Sequence, residues 1–93
     1  MKVFLTAFVN PYFCGLVADD TGLVFRARKK GKFHTIGKIR YSNIDNVEFV
    51  GQNFVINTKK GAAFKAIVME KKYLMNILDQ MGVSVIDKKK RAF

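Results

Sequence analysis

YSNIDNVEFVGQNFVINTKKGAAFKAIVMEKKYLMNILDQMG, residues 41–82, decides the fold, because a period of two gives way within it to a helical period. Val47 to Val50 and Asn53 to Thr58 read as strands joined across Gly51-Gln52, and Ala62 to Met69 adds a third beyond the Lys59-Lys60-Gly61 turn. From Glu70 to Met81 the apolar residues Tyr73, Leu74, Ile77, Leu78 and Met81 fall on one helical stripe. A hairpin cannot bury its apolar face alone, and neither can one short helix. The helix is therefore expected to cover the sheet, with Leu74, Ile77 and Leu78 facing it. Gly82 is a suitable stop for that helix.

Working outward toward the N-terminus, Tyr41 to Val47 reads as a short irregular link. Phe33 to Arg40 before it is a strand with Gly37 inside, where a bulge or tight bend is expected. Lys29-Lys30-Gly31-Lys32 turns this strand back onto Leu23 to Arg28. Alternation there puts Leu23, Phe25 and Ala27 on one face, and Val24, Arg26 and Arg28 on the other. Asp19-Asp20-Thr21-Gly22 is a turn by composition, in which Gly22 can take a positive φ and the Asp side chains can bond nearby backbone N–H groups. Lys2 to Val9 and Tyr12 to Ala18 are apolar strands separated by Asn10-Pro11. The first is too apolar to be left as an open edge, so either the barrel closes through it or two chains pair as a homodimer.

Toward the C-terminus, Val83 to Ile86 could add an edge strand, and residues 87–93, DKKKRAF, read as a basic, solvated tail. The expected organisation is one small β-rich domain over residues 1–86 with a helix at about 70–81, followed by that tail.

Ninety-three residues leave room for one domain, and a 49% hydrophobic content with nine Phe can fill a modest core. The single cysteine, Cys14, excludes an internal disulfide. VFLTAFV after Met1-Lys2 is followed by polar Asn10 and no small-residue cleavage signal, and it is far below the ~20 residues needed to cross a bilayer. A soluble, cytoplasmic placement follows as an expectation.

No catalytic signature stands out. His34 and Cys14 are too far apart in sequence to be a recognised metal-ligand pair. A nucleophilic Cys14 assisted by His34 is conceivable on paired strands, with no Asn or Asp placed to orient the imidazole. Asp19 and Asp20 are better explained by turn bonding than by acid–base work. Asp45 and Glu48 lie in a segment whose Ile44 and Val47 look buried. Gly31, Gly51 and Gly61 match no phosphate-binding fingerprint. No cofactor is implied.

Charge is the informative feature. Seventeen Lys and Arg against seven Asp and Glu give +10, so acidic partners are expected: nucleic acid, an acidic protein patch, or an anionic membrane surface. The density peaks between Arg26 and Arg40, where Arg26, Arg28, Lys29, Lys30, Lys32, Lys38 and Arg40 would gather on one hairpin and its tip. That geometry suits phosphates or carboxylates. Phe33 beside the cluster could stack on a base, although such a residue more often belongs to a core.

Several short strands and one closing helix form the background to two more specific stretches. Lys38-Ile39-Arg40-Tyr41 with Ile44 and Val47 matches a "plus-I-x-y-x-x-I-x-x-V" pattern, and Ile56, Thr58 and Gly61 match "x-I-x-T-x-x-G". Over residues 14–82 the chain resembles the bacterial pleckstrin-homology-like and GRAM-like family. It departs in being short and in having no tryptophan in the closing helix. The resemblance implies an α+β, mainly β fold: a small bent antiparallel sheet or partial barrel capped by one C-terminal helix. It also implies a binding or assembly module and not an enzyme, with phosphoinositide binding carried only onto Arg26, Arg28, Lys30 and Lys32. The functional expectation is a non-enzymatic basic module contacting the phosphates of DNA or RNA without strong sequence preference. A protein-interaction or inhibitory module for an acidic protein is the alternative, and anionic membrane binding a third.

Overall fold

The computed structural model describes residues 1–88. Seven strands precede the helix: β1 (Lys2–Val9), β2 (Tyr12–Asp19), β3 (Gly22–Lys29), β4 (Lys32–Arg40), β5 (Ile44–Val50), β6 (Asn53–Thr58) and β7 (Ala63–Val68). The helix α1 (Lys71–Gln80) and a last strand, β8 (Val85–Lys88), follow. All eight strands form one open sheet in the order β4-β3-β2-β1-β7-β6-β5-β8. The architecture is α+β and mainly β.

Two antiparallel meanders, β1 to β4 and β5 to β7, meet where β7 pairs with β1 at Ala7 and Phe8. β1 thus lies inside the sheet, and the open edge that suggested a homodimer is covered within one chain. The sheet is strongly bent. Phe25 of β3 sits 4.7 Å from Phe64 of β7 between ring centroids, whereas three strand spacings in a flat sheet would separate them by about 14 Å. Phe54 joins the same stack, 6.3 Å from Phe25 and 5.5 Å from Phe49. Gly37 makes the close approach possible, since a Cβ there would stand 3.0 Å from the Phe64 ring. The expected irregularity is also at this point: the β3–β4 register shifts between Phe25 and Arg26, leaving Ile36 as the extra residue.

Leu74, Ile77 and Leu78 of α1 are buried in the same core as Leu5, Leu16, Phe25, Ile56 and Val68. Tyr73, expected on the buried stripe, is exposed. At 100° per residue it points about 90° away from the centre of the line through Leu74, Ile77, Leu78 and Met81, which leaves the ring in water. Gly82, at φ +74°, ends the helix as expected. The following chain then runs parallel to β5, pairing Val47 with Val85 through Val50 with Lys88, so the sheet is not wholly antiparallel. Asp87 and Lys88, read from sequence as tail, belong to this strand; the rest of the basic tail lies outside the described residues.

Three local readings change. The link before β5 is shorter than expected, a single 3-10 turn at Tyr41–Asn43, and β5 already begins at Ile44. Gly22 has no positive φ. Glycine is required there by close approach, because a Cβ would stand 2.8 Å from Arg40 Cα and against the Ile39 carbonyl. Phe33, read as a core residue, is exposed at the tip of the β3–β4 hairpin.

A pair of hydrogen bonds ties the two ends of this framework together. The Glu70 carboxylate accepts from the Thr6 backbone N–H at 2.7 Å and from its hydroxyl at 3.0 Å. Met69 N–H donates to the Thr6 carbonyl at 2.9 Å. The start of α1 is thereby fixed to the edge of β1 that β7 leaves uncovered.

Candidate functional site

Cross-strand partners in an antiparallel sheet stand on the same face. Leu23, Phe25 and Ala27 are buried, so Val24, Arg26 and Arg28 point outward, as alternation predicts. On β4, Lys38 stands opposite Val24 and Arg40 opposite Gly22. Beyond the bulge, Thr35 is opposite Arg26 and Phe33 opposite Arg28. Arg26, Arg28, Lys38 and Arg40 therefore share the outer face of the first meander. Without the extra residue at Ile36, alternation would have sent Phe33 inward.

The remaining three cations of the cluster diverge from this face. Lys29 and Lys32 pair with each other on the opposite side of the hairpin tip, and the Lys29 ammonium lies 4.4 Å above the Tyr12 ring. Lys30 and Gly31 form the turn itself, with φ of +49° and +79°. Among the described residues the ion pairs are the N-terminus with Asp20, Lys71 with Asp87 and Lys88 with Glu48. None engages any of the seven cations.

Register extends the outer face across β2 and β1. Val17 stands opposite Val24 and Phe4, Gly15 opposite Arg26 and Thr6, and Phe13 opposite Phe8. Phe4, Phe13 and Phe33 are 72%, 79% and 61% exposed. Phe8 braces Phe13 from the side, with ring centroids 5.0 Å apart and planes tilted by 59°. A shallow cleft of about 210 Å³ lined by Lys2, Phe4, Val17, Val24, Arg26 and Thr35, with Asp19 at its end, occupies the middle of this face.

Asp19 is ionised at that end of the cleft, with one carboxylate oxygen turned into the neighbouring turn. Its Oδ1 accepts from Thr21 N–H at 2.8 Å, Gly22 N–H at 2.9 Å and the Thr21 hydroxyl at 2.8 Å. Those bonds, led by the Thr21 backbone, hold its carboxyl below the usual range. The carboxylate is committed to the turn, as its sequence suggested.

Sequence reasoning missed Phe4, Phe13 and Lys2 as parts of this surface. The available signal was that β1 and β2 are apolar at both parities: Phe4 and Phe8 alternate with Leu5 and Ala7, and Phe13 and Val17 alternate with Cys14 and Leu16. One parity of each strand had to face outward.

The Cys14–His34 pairing is not formed. Cys14 pairs with Ala27 and Ala27 with His34, so a strand intervenes. Two strand spacings, about 9.6 Å, exceed hydrogen-bond reach. Burial also pushes the Cys14 thiol above its ordinary pKa, away from the reactive thiolate. Among the described residues no three His, Cys, Asp or Glu side chains converge on a possible metal position, and no helix is long and apolar enough to cross a membrane.

Among solved structures, the chain is similar to one in the structure of the Spt16D Pob3N heterodimer. The TM-score is 0.72 at 12% identity; the match covers 99% of this chain and 55% of that one. At that identity the likeness speaks for the fold alone, and it supports a pleckstrin-homology-like one. No protein-family model matches the sequence. No curated protein matches it either.

Proposed function

We propose that the chain is a non-enzymatic basic binding module whose outer sheet face holds the phosphates of DNA or RNA without strong sequence preference. The observation that carries this reading is the gathering of Arg26, Arg28, Lys38 and Arg40 on one exposed face with no ion-pair partner among the described residues. Guanidinium groups present several donors in a fixed fork that matches phosphate oxygens. Contacts to phosphates position the protein and carry little sequence information. Affiliation with bacterial or GRAM-like members belongs to the same reading and rests on the spacing of Ile44, Val47, Ile56, Thr58 and Gly61.

Titration of duplex and single-stranded DNA and RNA across a salt series tests the proposal. Affinity should fall steeply as salt rises, because each neutralised phosphate releases counterions. Absence of salt-sensitive binding to all of them at low ionic strength would remove the assignment.

A second reading, an acidic protein partner, is favoured by the exposed Phe4, Phe13 and Phe33 among the cations and by the heterodimeric assembly of the similar structure. It requires one specific complex and indifference to random nucleic acid.

A further inference from the structure

Resting on the nucleic-acid reading, we infer that this face takes single-stranded nucleic acid in preference to duplex, with unpaired bases stacking on Phe13 and Phe33 while Arg26, Arg28 and Lys38 hold the phosphates. Aromatic and cationic groups are interleaved here. Phe33 stands opposite Arg28 on the neighbouring strand. Phe13 lies one residue beyond the last β2–β3 pair, Cys14 with Ala27, which places it beside Arg28 from the other side. The two backbone positions are thus about 10 Å apart across two strand spacings, with Arg28 on the strand between them.

The rings are presented to solvent. Phe13 and Phe33 are 79% and 61% exposed, and Phe8 supports Phe13 without covering it. Next to Phe13 the face is open: a Cβ built on Gly15 meets nothing within 4 Å. A flat base could lie there directly against the β2 backbone. Arg26, one row further on, and Phe4, two rows further on, bring an aromatic ring and a cation together again around the cleft.

A ligand that satisfies this pattern must offer accessible π-faces and a negative charge at each repeat. A single strand does both. A duplex presents the phosphates but keeps its base faces stacked inside, so the phenylalanines would gain nothing from it. A protein segment with an apolar surface would match the rings, yet it would have to bury Arg26 and Arg28 against matching carboxylates. Stacking of this type tolerates any sequence, since every base has a π-face.

Fluorescence anisotropy with three probes of equal length separates the terms: an oligothymidine, the same strand made abasic, and a duplex. Each stacked base is expected to contribute about 5- to 150-fold in affinity. With two bases stacked, the oligothymidine should therefore bind at least about 25-fold more tightly than the abasic strand. The double variant Phe13→Ala/Phe33→Ala should lose about 25-fold or more on oligothymidine, and little on the abasic strand or the duplex. As a second measurement, the chain has no tryptophan, so Phe33→Trp installs a single indole at the site, which can be excited at wavelengths where the tyrosines do not absorb. Its fluorescence should be quenched by oligothymidine and not by the abasic strand.

Equal affinity for all three probes, with the phenylalanine variant unchanged, overturns the stacking inference and leaves phosphate binding standing. Binding to none of the probes overturns both readings. Tighter binding to an acidic polypeptide such as polyglutamate, lost in the same phenylalanine variant, assigns the face to a protein partner instead.

Discussion

The division of the basic cluster between two sides of one hairpin allows a charge-matched test. Arg26→Gln/Arg28→Gln and Lys29→Gln/Lys32→Gln each remove two positive charges within a few residues of one another. The first pair leaves the outer face and the second leaves the opposite side of the tip. With Arg26, Arg28, Lys38 and Arg40 each meeting one duplex phosphate, the slope of log affinity against log salt should be about −3.6. Raising salt from about 50 to about 200 mM then weakens binding about 150-fold. Removing Arg26 and Arg28 should flatten the slope to about −1.8, so the same step costs only about 12-fold. The Lys29/Lys32 variant should keep a slope near −3.6. Anisotropy of a labelled random duplex at five or six salt concentrations suffices, with circular dichroism showing that both variants remain folded. If the two double variants flatten the slope equally, total charge governs binding and the outer face has no special standing.

Three further outcomes follow from the fold. Leu78 is fully buried, so Leu78→Ala should cost about 2–5 kcal/mol, a large share of the roughly 5–15 kcal/mol expected for a domain this size; an unchanged urea midpoint would sink the account of the helix as core cover. Gly22→Ala drives a Cβ against the Ile39 carbonyl and Arg40 Cα, backbone atoms that cannot step aside, and should cost about 1–3 kcal/mol in urea unfolding. The Tyr41 phenol donates to the Asp19 carbonyl at 2.8 Å and is pushed up to about 12 by burial, and secondarily by Asp19 and Asp20. The folded state keeps a proton that the unfolded chain releases near pH ~10. Its contribution is therefore complete below that pH and is lost as pH rises through about 12; the fall in urea midpoint over this window should be smaller in Tyr41→Phe.

The closing half of the chain was legible because local chemistry and core periodicity agree there. Ile44, Val47, Ile56, Leu74, Ile77 and Leu78, all buried, are the residues whose spacing suggested the fold. Thr58 and Gly61 proved to be turn residues: Thr58 Oγ1 accepts from Ala62 N–H at 3.1 Å, and Gly61 has φ +87°. Arg26 and Arg28 were placed correctly by simple alternation. The outer face was harder to read, because β1 and β2 are apolar on both sides and composition cannot say which phenylalanine faces water. Phe33 was obscured for another reason. Its direction depends on a bulge whose position is set by the meeting of Gly37 with Phe64, two residues 27 positions apart. The parallel β8 likewise depends on where α1 ends in space, which no local pattern states.

The bonds from Glu70 and Met69 to Thr6 also have a meaning in time. β1 can pair with β2 as soon as both are made, but its other side is completed only by residues 63–70. At about 5–20 residues per second, the roughly 60 intervening residues take about 3–12 s to synthesise. In the part of that interval after Arg40 is made, a nascent chain carries a four-strand meander with one bare, apolar edge. Neighbouring chains on the same message could pair through it. A fragment ending before Ala63 would hold that state permanently, and its aggregation would reveal a hazard that the finished domain conceals.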